Sequence, residues 1–146
     1  MGVPEGVGYW QGCCTTVFAE DHSRQPTNER KIMIKMNVFL TRRADLTREE
    51  FNEYWTNTHT PLLAAMPANA ENARKYVQLH STGEQIPGLP SASYDGIAEI
   101  WVDDLAGAKA LFVNDYYDTV IAVDEANFLD RSKTVFLYSK EDVIFG

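Results

Sequence analysis

The side chains best suited to proton transfer near neutral pH are the histidines, His22, His59 and His80. His59 closes the segment Phe51-Asn-Glu-Tyr-Trp-Thr-Asn-Thr-His, four residues after Trp55 and just before Thr60-Pro61. His80 ends an alternating run in which Tyr76, Gln78 and His80 share a face. Two imidazoles at the rims of one layer can serve as acid and base on a bound organic molecule. Asp95 and Glu99 lie four residues apart on another run, on one face with Ile97 and Trp101. An indole wall can raise a carboxyl toward acid–base duty. Each group also has a plainer reading: a helix-terminal His caps carbonyls, Asp95 before Gly96 holds a turn, and Glu99 pairs with a cation across a sheet.

Other chemistries find little support. The histidines form no i, i+4 pair, and the two cysteines, Cys13 and Cys14, are adjacent and distant from them in sequence, so no metal site is expected. A vicinal cysteine pair staples nothing distant and fits a reducing compartment. There is no Gly-rich phosphate loop, dinucleotide fingerprint, Gly-x-Ser-x-Gly elbow or Cys-His arrangement, so the expected cofactor list is empty. Thirteen basic against twenty-one acidic residues give a net charge of −8, which disfavours nucleic acid and anionic membranes as partners. No apolar run is long enough to span a bilayer and no secretory pattern opens the chain, so a cytoplasmic location is expected. Aromatic residues make up 12% of the chain, rigid walls for a core or for a pocket that holds flat rings.

The elements that must position these groups are readable from Lys31 onward. Residues 31–40 alternate as a strand, with Ile32, Ile34, Met36, Val38 and Leu40 on one face. Thr47 and Glu50 form a capping box that opens a helix, Pro61 restarts it at a first position, and Pro67 is expected to end it. Strands are expected over 73–81, 94–102 and 134–139, a loop over 83–93, a helix over 105–113 behind Asp103 and Asp104, and a short helical turn over 116–122. The order β-α-β-β-α-β is the ferredoxin-like arrangement of an α+β domain over 31–146, preceded by an extension over 1–30. Its helices cover one sheet face. Apolar residues of both parities along the first strand predict that a second copy covers the other.

With these elements in place, Phe51-x-x-Tyr-Trp-x-x-x-His59-x-Pro-Leu resembles the signature of EthD-domain proteins, members of the dimeric α+β barrel superfamily. The resemblance continues through Arg74-Lys-Tyr-Val-Gln-Leu-His80, Ile86-Pro-Gly-Leu-Pro90, Tyr94-Asp-Gly-Ile-Ala-Glu-Ile-Trp101 and Asp124-Glu-Ala-Asn-Phe128-Leu-Asp130. The Val-Gln-x-His strand and the Ile-Pro-Gly-Leu-Pro loop are similar to the fungal polyketide branch. That resemblance implies a homodimeric, cofactor-free decarboxylase, dehydratase or cyclase acting on an aromatic polyketide. It makes His59, His80 and Asp95 the catalytic candidates. Phe39, Tyr54, Trp55, Tyr76, Glu99, Trp101, Tyr116 and Phe128 are the candidate walls of the pocket, and Tyr76 is also a candidate donor. Two alternatives stay open: cofactor-independent oxidation of an anthrone-like phenol, and a non-catalytic ligand carrier.

Overall fold

Alternation along Ile34–Leu40 (β1) decides the layering. Met36, Val38 and Leu40 are buried beneath helices, whereas Lys35, Asn37 and Phe39 face the other way. The computed structural model describes residues 33–146. The expected extension over 1–30, Cys13, Cys14, His22 and the start of the first expected strand lie outside the described residues. β1 lies at the centre of the sheet, antiparallel to Gly96–Val102 (β3) on one side and Val135–Ser139 (β4) on the other. Ala73–His80 (β2) pairs with β3, giving the order β2-β3-β1-β4. This is the expected ferredoxin-like α+β fold.

The first crossover runs through Arg48–Tyr54 (α1), a π-helical turn at Trp55–His59, Thr60–Ala65 (α2) and Pro67–Asn72 (α3). Thr47 opens α1 with the expected reciprocal cap: Glu50 N–H donates to Thr47 Oγ1 at 3.1 Å, and Thr47 N–H to Glu50 Oε2 at 2.7 Å. Such a cap contributes about 1 kcal/mol. Pro67 begins α3 rather than ending the helical stretch, because proline needs no intrahelical donor at a first position. The second crossover comprises Leu105–Phe112 (α4), a π turn at Tyr117–Ile121 and Ala122–Glu125 (α5). Asp104 caps α4, accepting from Gly107 N–H at 2.8 Å.

Two apolar clusters fill the space between helices and sheet. One gathers Phe51, Trp55, Phe128 and Leu129 over Val38, Leu40 and Ala98. The other gathers Met66, Ala108, Leu111 and Ile121 over Met36 and Val102. Burying each large side chain contributes roughly 1.5–3 kcal/mol. The clusters do not close completely where they meet, and the candidate site lies at that seam. Among the described residues, no helix is long and apolar enough to cross a membrane.

Candidate functional site

Pro61 shapes the first wall. It has no amide hydrogen, and its ring would crowd the carbonyl four residues back in a regular helix. The chain widens instead: Thr60 N–H reaches Trp55 O, five residues back, and Thr60 Oγ1 donates to the same carbonyl at 2.9 Å. This π turn buries both Trp55 and His59. Single π turns of this kind recur at functional sites. Gly96 makes room for the indole, since a Cβ there would stand 2.7 Å from the Trp55 ring.

His59 is only 4% exposed and lines a cavity of about 60 Å³ with Trp55, Tyr76, Tyr117, Glu125 and Phe128 among its walls. Its Nδ1 lies 2.8 Å from Asp124 Oδ2, and Tyr54 donates to Asp124 Oδ1 at 2.7 Å. Both carboxylate oxygens of a buried acid are thereby satisfied. With Asp124 accepting from Nδ1–H, the neutral ring carries its free lone pair on Nε2. Burial pushes the His59 pKa down, against the opposing pull of Asp124. The imidazole is therefore neutral at pH 7.

Tyr76 provides the complementary group through hydrogen-bond direction. Thr60 spends its hydrogen on Trp55 O, so at its 2.8 Å contact with Gln78 it must accept from Nε2. That fixes the amide orientation, with Gln78 Oε1 accepting from Thr56 at 3.0 Å. Gln78 Nε2 also donates to Tyr76 OH at 3.3 Å, and Trp55 Nε1, which can only donate, does so at 3.0 Å. The Tyr76 oxygen accepts two hydrogen bonds, which leaves its own hydrogen to offer a guest. The cavity wall thus carries a base and a hydroxyl donor.

Of the candidate wall residues, Trp55, Tyr76 and Phe128 line this cavity, and Tyr54 adjoins it through Asp124 and its stacking on Phe128 at 5.2 Å between centroids. Other expectations are corrected. His80 shares the inward face of β2, but β2 runs back along the helix and brings it beside Asn52, with Nδ1 2.8 Å from Asn52 Oδ1. Seven residues of helix, about 10 Å, separate Asn52 from His59. His80 packs on the Trp55 ring at 4.8 Å and lines a different cleft. Asp95 is a clasp: it accepts from Arg42 N–H at 3.0 Å and from Arg42 Nε at 3.1 Å, tying the end of β1 to the start of β3.

Phe39, Glu99 and Trp101 point away from the helices, as strand parity dictates. Phe39 packs on Tyr94, and Glu99 pairs with Lys35 at 2.6 Å, the plainer reading of that carboxylate. Trp101 is covered by the ammonium groups of Lys35 and Lys75, 4.7 and 4.4 Å from its ring centroid. Tyr116 donates to Leu62 O at 3.3 Å and packs in the second cluster; its neighbour Tyr117 lines the cavity.

Asp124, Glu125 and Tyr117 are the site residues missed as candidates. Tyr117, Ile121, Asp124, Glu125 and Phe128 follow one another at four-, three-, one- and three-residue steps, a single helical face. Two carboxylates between Ile121 and Phe128 on that stripe were the available signal. Among the described residues, no three His, Cys, Asp or Glu side chains gather as a metal site.

Comparison with known proteins bears on the fold around this cavity. The EthD-domain family model matches residues 43–132, more than half of the chain. An EthD family protein from Bacillus halodurans is similar in structure, with 18% identity, a TM-score of 0.56, and coverage of 76% of this chain and 100% of that one. An EthD-like protein from Ralstonia eutropha gives 19% identity, a TM-score of 0.55, and coverage of 78% and 94%. A dimeric ferredoxin-like protein of unknown function from Thermobifida fusca gives 16%, 0.53, and coverage of 75% and 92%. No curated protein matches the chain. With the family's model spanning the His59 turn, both crossovers and the Asp124–Phe128 stripe, the chain belongs to the EthD-domain family.

Proposed function

We propose that the protein is a cofactor-free lyase that moves protons on an aromatic, polyketide-like substrate held at the His59 cavity. The observation that carries this reading is the buried imidazole on the cavity wall, with Nδ1 held 2.8 Å from Asp124. In a dehydration, His59 Nε2 removes the proton α to a carbonyl while Tyr76 O–H hydrogen-bonds the carbonyl oxygen as it gains charge. The enolate then expels the β-hydroxyl as water, with a proton returned from solvent or the imidazolium. In a decarboxylation of a β-keto acid, neutral His59 takes the carboxyl proton, the C–C bond to the resulting carboxylate breaks with release of carbon dioxide, Tyr76 stabilises the enolate, and the imidazolium so formed returns the proton to its carbon. Both routes place a charge-stabilising donor where negative charge develops. A positioned proton transfer is worth roughly 10²- to 10⁴-fold in rate.

Size bears on the substrate. Sites for drug-sized ligands hold roughly 300–1,000 Å³, well above the cavity's 60 Å³. An adjoining cleft of about 130 Å³ shares Val38, Leu40, Phe112, Tyr117, Glu125 and Leu129 with it. A multi-ring substrate needs these two spaces joined. Phe112, half-buried, lines both and meets Tyr117 and Phe136 edge-on at 5.2 and 5.3 Å, so its movement is the simplest opening. Mass spectrometry of aromatic polyketides incubated with the pure protein tests the reaction: loss of water or carbon dioxide is expected. A bound but unaltered polyketide would make the protein a carrier.

The same reading includes a homodimer formed through the outer sheet face. Leu79, Val135 and Leu137 stand there 42%, 44% and 53% exposed, an apolar surface that a second copy would cover. Two proteins of similar fold, from Bacteroides fragilis and Thermobifida fusca, are described as dimeric. Sedimentation is expected to show a dimer that Leu137→Lys converts to monomer; a monomeric wild type would refute it.

A further inference from the structure

Tyr54 adjoins the His59 cavity without lining it, and its hydroxyl is directed at Asp124 instead. Apolar contact already places the ring, which packs on the first cluster and stacks on Phe128. Phenylalanine would meet that demand equally well, so the hydroxyl needs a separate reason. The turn that follows supplies one. At about 100° per residue, side chains five apart on a regular α-helix diverge by about 140°. The π turn at Trp55–His59, closed by the bond from Thr60 N–H to Trp55 O, instead completes roughly a full turn in five residues. Tyr54 and His59 thereby reach one carboxylate, 2.7 Å from Asp124 Oδ1 and 2.8 Å from Oδ2.

A carboxylate that accepts from two donors is a tempered acceptor. The second, charge-assisted bond stabilises the anion and takes up part of its pull on the first donor. It also keeps the carboxylate from turning about a terminal torsion that is intrinsically broad. We propose that Tyr54 is a positioning residue, which through Asp124 aims the His59 imidazole at the cavity and tempers the carboxylate's hold on its hydrogen. This role rests on the reading of His59 as the base. Among the described residues, the titratable groups around His59 are Tyr54 on α1, Tyr76 on β2, and Tyr117, Asp124 and Glu125 on the second crossover. β1, β3 and α2 to α4 add none to the cavity wall. Glu125 is paired with Arg131 at 3.0 Å, so Asp124 is the charge that His59 feels at contact. Burial pushes His59 down and Asp124 pulls it up, so a change in Asp124 is read at the imidazole.

Tyr54→Phe keeps the ring and its stacking and removes the hydrogen bond to Asp124. The anion is then less well stabilised, and the Asp124–His59 pair takes up a proton more readily, whichever member holds it. The midpoint of that uptake is read on the full chain without substrate, from the imidazole nitrogens and the Asp124 carboxyl carbon through an NMR pH titration. In Tyr54→Phe it is expected to rise by about one pH unit, the scale of one hydrogen bond to a charged group. Combined with Asp124→Asn, the same substitution is expected to move the His59 midpoint by no more than about 0.3 pH unit from Asp124→Asn alone, because Tyr54 acts through the carboxylate. An unchanged or lower midpoint in Tyr54→Phe would make the hydroxyl a purely structural partner and overturn the proposal, whatever the thermal melt shows. So would a rise that persists in the double variant. A wild-type His59 already charged at neutral pH would instead overturn the reading of His59 as the base, and it is seen before any variant is compared.

Discussion

Trp55 has a histidine on either hand. His59 shares its cavity wall, 4% exposed and held by Asp124. His80 packs on its ring but is exposed, and its partner is the neutral amide of Asn52. Burial lowers both imidazole pKa values, yet only His59 has a charged partner pulling the other way. The difference teaches that residue type and layer do not make a base. A buried carboxylate 2.8 Å from Nδ1, together with the near-complete burial of the ring, separates the two environments.

Substitutions that break this contrast are ranked by how directly they touch the proton. His59→Gln keeps a polar side chain of similar reach but removes the base, and a roughly 10²- to 10⁴-fold loss of turnover is expected at unchanged thermal stability within a few degrees. Steady-state rates on whichever polyketide the mass-spectrometric screen identifies, alongside a thermal melt, check it. Tyr76→Phe removes only the hydrogen that the Trp55 and Gln78 donors leave unspent. About a tenfold loss is expected, mostly in kcat rather than KM, since that bond strengthens as charge develops. His80→Gln is expected to change the rate by no more than about twofold, the scale of an ordinary surface substitution. A loss at His80 equal to that at His59 would erase the distinction between the two regions.

Much of the fold was legible because it rests on local rules. The Thr47–Glu50 cap, the strict alternation along β1 and the Asp104 cap each act over a few residues. The site was harder to read. The inward set Tyr76, Gln78, His80 was correctly grouped, but parity says which face a residue takes and not how far along the strand it meets its neighbour. β2 carries His80 away from His59 for that reason. Glu99 and Trp101 were placed together correctly, on the face opposite the cavity, because parity does not reveal which face the helices cover. Asp124 escaped notice because its importance lies in a contact 65 residues distant in sequence.

The pH dependence follows from the burial of His59, which lowers its pKa against the opposing pull of Asp124. In the proposed mechanism neutral His59 is the active form, and its pKa is lowered in the folded protein, so turnover is expected to hold as pH falls to 6.5, the ordinary histidine value. It then drops as pH passes through the lowered value. Stability shares the sign: below 6.5 the unfolded chain takes up a proton that folded His59 resists, so that histidine's contribution weakens with acid. Asp124→Asn removes the charge that raises His59, so the acid limb is expected to move to still lower pH while the rate falls.

Long-range ¹H–¹⁵N NMR of the imidazoles through a pH titration tests the assignment of His59 most directly, since it needs no substrate and reads each ring nitrogen separately. The expected result is a neutral His59 with its hydrogen on Nδ1, persisting below pH 6.5, the ordinary histidine value, and losing that tautomer preference in Asp124→Asn. A His59 that carries its hydrogen on Nε2, or is already charged at neutral pH, would contradict its role as the base.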